Sequence, residues 1–173
     1  TTRYVYDRNG NRVQVVDPRG NTTTSFHNLN GEVVLQVDAV GYGTHFERDA
    51  IGNVVRQTLF VDRMFEVGDL SVVPGIPSAS IRDQVLTFTH DRLNRMVGRR
   101  DGGGNLTEYR YDDNGNRTAV TVYLDPSGTR AATTRYYYDR LNRLTATCSA
   151  EGYLATNAYD GSGNLVRVDR HDQ

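Results

Sequence analysis

The chain has no tryptophan, no lysine and a single cysteine, Cys148, among 173 residues. One thiol cannot close an intrachain disulfide, so the redox compartment is not readable from cysteine. The sequence holds no apolar run of about 18 residues, the length a membrane-spanning helix needs. Hydrophobic residues make up 37%, below the usual globular share, which leaves a two-layer core poorly supplied. The formal net charge is -1, so no nucleic acid or anionic membrane is expected as partner. No segment combines a helical period with caps. The spacings His-x-x-x-His and Cys-x-x-Cys are missing, so no zinc or other metal is expected. Gly102-Gly103-Gly104 lacks both the following helix and the lysine of a phosphate loop, and reads as a flexible turn with no cofactor.

What is present is a turn that keeps returning. Asp-x-x-Gly or a close variant begins at Asp7, Asp17, Asn28, Asp38 and Asp49, and again at Asp91, Asp101, Asp112, Asp139, Ser149 and Asp160. The steps alternate between 10 and 11, so the repeat is 21 residues with two turns per unit. Such a short period marks units that cannot bury a core alone. Asp or Asn at the first position bonds the backbone two residues on, and glycine at the fourth adopts positive φ. That is a type I turn closed by a G1 bulge, a common hairpin connection. Proline fits the second position in Asp17-Pro18-Arg19-Gly20 and Asp125-Pro126-Ser127-Gly128. Asn94 and Asn142 replace glycine, as the next best residue for positive φ.

The segments between turns, such as Asn11–Val16, Glu32–Val37, Asn116–Val122 and Asn164–Asp169, are rich in Val, Thr, Tyr and Leu and read as strands. Short strands joined by tight turns are antiparallel neighbours. The expected fold is all-β: one long antiparallel hairpin meander of about 14–16 short strands, too many to stay flat, curling into a segment of a spiral shell or partial barrel. The whole of 1–173 reads as one array. A unit near Asp69 has lost its turn signature, and 60–84 is expected to be irregular because Pro74 and Pro77 do not suit a central strand. Six extra residues fall around Asp125, predicting a lengthened hairpin at 122–131. Thr2–Tyr6 reads as the last strand of a unit, and Gln173 falls where the next turn is due, so the array is expected to continue in a longer polypeptide.

Ring positions fall two apart before the turn: Tyr4 and Tyr6, Tyr109 and Tyr111, Tyr136 and Tyr138, with Phe88 and His90 in the same places. Residues two apart share a face, so these rings form rows across the sheet. The opposite face carries Arg3, Val5, Thr24, Phe26, His45, Arg110 and Tyr137, and either lines an interior or meets solvent.

Tyr6-Asp7-Arg8-Asn9-Gly10-Asn11-Arg12, Tyr111-Asp112-Asp113-Asn114-Gly115-Asn116-Arg117 and Tyr138-Asp139-Arg140-Leu141-Asn142-Arg143-Leu144 resemble the YD-repeat, or RHS-repeat, family. The family includes RHS polymorphic toxins, wall-associated toxins, the C component of insecticidal toxin complexes, and teneurins. The resemblance implies a strip of hairpins that spirals into a hollow shell, enclosing a C-terminal effector in the toxins. It also implies a secreted or cell-surface setting, bacterial by likeness to the toxins.

The residues expected to carry the repeat are Tyr6, Asp7 and Gly10; Asp17 and Gly20; Gly31; Asp38 and Gly41; Asp49 and Gly52; Asp91 and Asn94; Asp101 and Gly104. They continue with Tyr111, Asp112 and Gly115; Tyr138, Asp139 and Asn142; Gly152; and Tyr159, Asp160 and Gly163. Their role is structural, because a catalytic acid pair must converge on a substrate and these acids stand one per turn. No enzyme activity is expected. Family toxins carry a self-cleaving Asp-Pro-x-Gly element, which Asp17–Gly20 and Asp125–Gly128 match only superficially, since both occupy ordinary turn positions. His27 and His90 read as stacking substitutes for tyrosine, and Cys148 as a buried, inert thiol. The function expected first is a non-catalytic wall segment that encloses or presents another domain such as a toxin effector. The alternative is an extracellular module binding carbohydrate or protein. The expected partners are the remaining repeats of a larger shell, a second copy joined through open edge strands, an enclosed effector, or a glycan.

Overall fold

The computed structural model describes residues 1–64, 70 and 72–171. Fourteen strands follow one another: β1 (Arg3–Tyr6), β2 (Arg12–Val16), β3 (Thr22–His27), β4 (Val33–Val37), β5 (Tyr42–Arg48), β6 (Val54–Arg63) and β7 (Gln84–His90). Then come β8 (Met96–Asp101), β9 (Leu106–Tyr111), β10 (Arg117–Tyr123), β11 (Ala131–Tyr138), β12 (Leu144–Cys148), β13 (Leu154–Tyr159) and β14 (Leu165–His171). They pair in sequence order from β1 to β14 in one antiparallel sheet. Among the described residues no pairing departs from this linear order, so the sheet is open. No helix occurs among the described residues.

A repeated backbone device makes each connection. In the first turn the Asp7 amide donates to the Asn11 carbonyl at 2.9 Å, and the Gly10 amide to the Asp7 carbonyl at 3.2 Å. The same two bonds recur at Asp17, Asn28, Asp38, Asp49, Asp91, Asp101, Asp112, Asp139, Ser149 and Asp160. The fourth residue is left-handed throughout: φ is 87° at Gly115 and 60° at both Asn94 and Asn142. The register shifts beside the turn that follows the motif tyrosine, as between Val5 and Tyr6, Tyr137 and Tyr138, and Ala158 and Tyr159. A G1 bulge has this geometry, with two residues of one strand opposing one of its partner. Successive turns therefore alternate between two rims: Asp7, Asn28, Asp49, Asp91, Asp112, Asp139 and Asp160 on one, the others on the second.

β6 runs on to Arg63, and its pairing with β5 is irregular there, the register jumping from Leu59 opposite Thr44 to Arg63 opposite Tyr42. Residues 73–80 carry no regular structure. The lost turn expected near Asp69 lies outside the described residues. β10 and β11 pair from Ala119–Arg135 to Tyr123–Ala131, and the Leu124 amide donates to the Arg130 carbonyl at 2.8 Å to close the tip around Asp125.

The chain divides into two compact units, Thr1–Phe88 and Thr89–Gln173. In the first, the register aligns Phe26, Leu35, His45 and Thr58, and beside them Thr24, Val37 and Gly43, on one face. Phe26, Leu35 and Val37 form a buried cluster against which Val34 and Met64 pack. The face that the sequence left open is thus the buried one here. Burying each such side chain contributes about 1.5–3 kcal/mol. A Cβ on Gly43 would collide with the Met64 sulfur, so the missing side chain there is what admits Met64. In the second unit no described hydrophobic side chain is fully buried, and arginine–tyrosine stacking takes a larger part.

Candidate functional site

The recurring carboxylate closes its own turn. Asp7 Oδ1 accepts from the amides of Asn9 at 2.9 Å and Asn11 at 2.8 Å, while the Asn11 side-chain amide donates to Asp7 Oδ2 at 2.9 Å. Asp17, Asp101, Asp112 and Asp160 repeat the set with Asn21, Asn105, Asn116 and Asn164. Asp49 does so with Asn53. Asp38 keeps only the two amides, of Val40 and Tyr42. At Asn28 the polarity is reversed, and its side-chain amide donates to Glu32 at 2.7 Å. Where the fourth residue is Asn, the fifth is Arg: Arg95 Nε reaches Asp91 and Arg143 Nε reaches Asp139, each at 2.7 Å.

These bonds favour the ionised acid. The side-chain amides of Asn11, Asn21, Asn105, Asn116 and Asn164 lead in holding Asp7, Asp17, Asp101, Asp112 and Asp160 below the usual carboxylate range. At Asp139 the Arg143 backbone amide leads. At Asp125 the Ser127 hydroxyl leads, with the Thr129 and Arg130 amides behind it, and lowers the pKa to about 2. A proton donor or acceptor near neutral pH needs the opposite shift. Among the described residues no cluster of His, Cys, Asp and Glu has the geometry of a metal site.

The second element ties neighbouring turns of one rim. The motif tyrosine does not only stack. Tyr111 donates its hydroxyl to the Met96 carbonyl at 2.9 Å, Tyr138 to Arg117 at 3.1 Å, and Tyr159 to Leu144 at 2.8 Å. Each acceptor opens the strand that leaves the preceding turn of that rim. Arg48 stands at the tyrosine position of its unit and serves the same carbonyl: its Nη2 donates to Val33 at 3.1 Å, and its Nη1 to Gly52 at 2.8 Å. Arg95 lies 4.8 Å from the Tyr111 ring centroid and donates to the Asp112 carbonyl at 2.9 Å. Arg143 lies 4.7 Å from the Tyr159 ring. Arg117 sits between Tyr109 and Tyr136, at 5.9 and 5.4 Å. Asn116 donates to the Asn142 side chain of the next turn at 2.8 Å.

The sequence reading missed the fifth turn residue and the tyrosine hydroxyl. The regular Asn or Arg after each turn glycine was the available signal for the first. Tyr4 and Tyr6 are exposed at 49% and 58%, although Arg12 covers the Tyr4 ring at 5.5 Å. His27 and His90, standing where tyrosine belongs, each bury Nδ1 without a hydrogen-bond partner. Cys148 is half-buried, not buried as expected, and its register partners are Arg135 and Leu154.

A cleft of about 450 Å³ lies between the turns at Asn28 and Asp49. Val34, Phe46, Ala50 and Ile51 form its apolar part, with Asn30, Glu32 and Arg48 around them.

A profile of the Teneurin YD-shell family matches residues 1–170. No curated protein sequence matches the chain. Among solved structures, the crystal structure of TcdB2-TccC3-Cdc42 aligns with 98% of this chain at a TM-score of 0.62 and 11% identity, over 10% of its own chain. The crystal structure of TcdB2-TccC3-TEV aligns with 98% of this chain at a TM-score of 0.42 and 13% identity, over 11% of its own. This chain thus spans 10–11% of those chains, and at 11% identity the likeness to the first concerns fold. With self-capped turns tied tyrosine to carbonyl, and a family match over residues 1–170, the chain belongs to the Teneurin YD-shell family.

Proposed function

We infer that this shell segment encloses or presents another domain, such as a toxin effector, in a larger secreted or cell-surface protein. The observation that carries the reading is where the polar groups go. The repeated carboxylates are consumed by their own turns, and Tyr111, Tyr159 and Arg95 by the neighbouring turn. Groups spent on holding hairpins side by side make a wall. Its function is separation: it keeps a confined domain from partners and proteases. The remaining repeats would extend the sheet by pairing with β1 and β14, since unpaired strand edges recruit further strands; a second copy would use the same edges. The test is limited proteolysis of the whole protein that carries these residues, with the array intact and with it deleted. Enclosure expects the partner domain to survive only with the array. Equal digestion in both forms overturns it.

The cleft between the turns at Asn28 and Asp49 favours a second reading, a binding module. An aromatic ring beside planar polar side chains suits the face of a sugar. Binding to a glycan panel that Phe46→Ala abolishes would support this reading. Binding unchanged by Phe46→Ala, or none at all, would remove it.

A further inference from the structure

The second unit carries a charged face whose arginines are not used by the repeat. In register across it stand Arg110, Ala119, Arg135 and Cys148. One row on one side runs Glu108, Thr121 and Thr133; the row on the other side runs Tyr137, Ala146 and Thr156. Paired residues share a face, so both guanidiniums rise from the same side, two strands and about 10 Å apart. Arg95, Arg117 and Arg143 all lie on tyrosine rings. Arg110 and Arg135 do not: both are exposed, and neither makes an ion pair, hydrogen bond or ring contact among the described residues. Glu108, the acid in the adjoining row, already accepts the Tyr123 hydroxyl at 2.9 Å. Tyr137 is 50% exposed beside the pair.

We propose that this face docks an acidic polypeptide segment, with carboxylates received by Arg110 and Arg135 across Ala119. The proposal rests on the reading of the chain as a wall around another domain, and assigns the segment to that domain. Guanidinium groups match carboxylates bidentately. An extended strand presents same-side residues about 7 Å apart, so two glutamates of one strand reach both arginines with ordinary side-chain freedom. Tyr137 offers a ring edge for the apolar part of such a segment.

The test is fluorescence anisotropy of a labelled oligo-glutamate peptide titrated with this chain. Binding is expected, weakened by salt and reduced about tenfold or more in Arg110→Glu with Arg135→Glu. The pair Arg110→Gln with Arg135→Gln should weaken it less but clearly. Arg8→Glu with Arg140→Glu changes the charge equally at two exposed turn tips and should leave binding unaltered. Circular dichroism and melting of each variant confirm that the fold is retained. No binding, equal loss in the turn-tip pair, or equal affinity for oligo-lysine overturns the proposal. So does arginine-dependent binding to anionic phospholipid vesicles without binding to the peptide. The wall reading is scored separately by protease protection in the whole protein. Protection retained while the peptide fails to bind sinks only this face.

Discussion

The hydroxyl of Tyr111 donates to the carbonyl of Met96 at 2.9 Å, reaching from one turn of a rim to the strand leaving the turn before it. Tyr138 and Tyr159 make the equivalent bond one and two units later. At Tyr111 and Tyr159 the ring also supplies a platform for an arginine of the preceding turn, Arg95 and Arg143, and at all three sites the hydroxyl ties one turn to the next. In this chain these three tyrosines therefore act between units, whereas the turn aspartates act within one.

Tyr111→Phe keeps the ring under Arg95 and removes only the hydroxyl. A loss of about 1 kcal/mol is expected in urea titration. Tyr159→Phe should cost less, because the Leu144 carbonyl keeps a second donor, Asn157 Nδ2 at 2.9 Å. Equal losses at the two sites would mean that Asn157 does not compensate for the missing hydroxyl at Leu144.

Gly115 isolates backbone strain from crowding. Its φ is 87° and a Cβ there would meet nothing within 4 Å, so Gly115→Ala should cost about 1–2 kcal/mol from the left-handed conformation alone. Asn114→Ala, at an exposed neighbouring turn position, should stay within about 0.5 kcal/mol. Gly52→Ala should cost about as much as Gly115→Ala, since φ is 92° and the Glu32 carboxylate that a Cβ would meet is the movable end of a side chain. Denaturant midpoints of the variants give the order.

Much of this was legible in the chain because a hairpin turn is local. Asp7, Gly10 and their equivalents announce a backbone conformation that depends on the four or five residues around them. The alternation of 10 and 11 residues then dictates strand count and neighbour order. What a neighbour does was less legible. The Tyr111 hydroxyl meets a carbonyl 15 residues away, and nothing near Tyr111 names that acceptor. Arg48 stands where tyrosine is expected yet performs the same tie through Val33. The burial of Thr24 and Phe26 was undecidable from alternation, because a strand pattern says which residues share a face and not what covers it. Phe60–Arg63 belong to β6, yet the register jumps from Leu59 to Arg63 against Thr44 and Tyr42, an irregularity that Pro74 and Pro77 do not locate.

Acid should loosen the turns together. The folded-state pKa values of Asp7, Asp17, Asp112 and Asp160 lie below the ordinary carboxylate value, and that of Asp125 falls to about 2. The unfolded chain therefore takes up protons first as pH falls. The carboxylates contribute their stability in full above about pH 4 and lose it progressively down to about pH 2. Urea midpoints measured across this range should fall steadily. Replacing Asp112 with Asn should flatten part of the slope, since Asn114 and Asn116 would then donate to a group that does not titrate. A midpoint constant from pH 5 to pH 2 would show that the turn carboxylates are not linked to folding.

The Gly43–Met64 approach predicts a coupled pair. Met64 packs against Phe26, Leu35 and Val37, and its amide donates to the Gly41 carbonyl at 2.8 Å. A Cβ at Gly43 would press on the Met64 sulfur and lie 3.3 Å from the Phe60 ring. Gly43→Ala should then destabilise by about 1–3 kcal/mol through overpacking. Met64→Ala alone should cost about 2 kcal/mol or more by opening a cavity over the cluster. In the double variant the new methyl no longer meets the sulfur, so the combined loss should be smaller than the sum of the two. Additive losses in a double-mutant cycle would mean that Met64 does not occupy the space above Gly43, and that the buried cluster of the first unit is covered by another group.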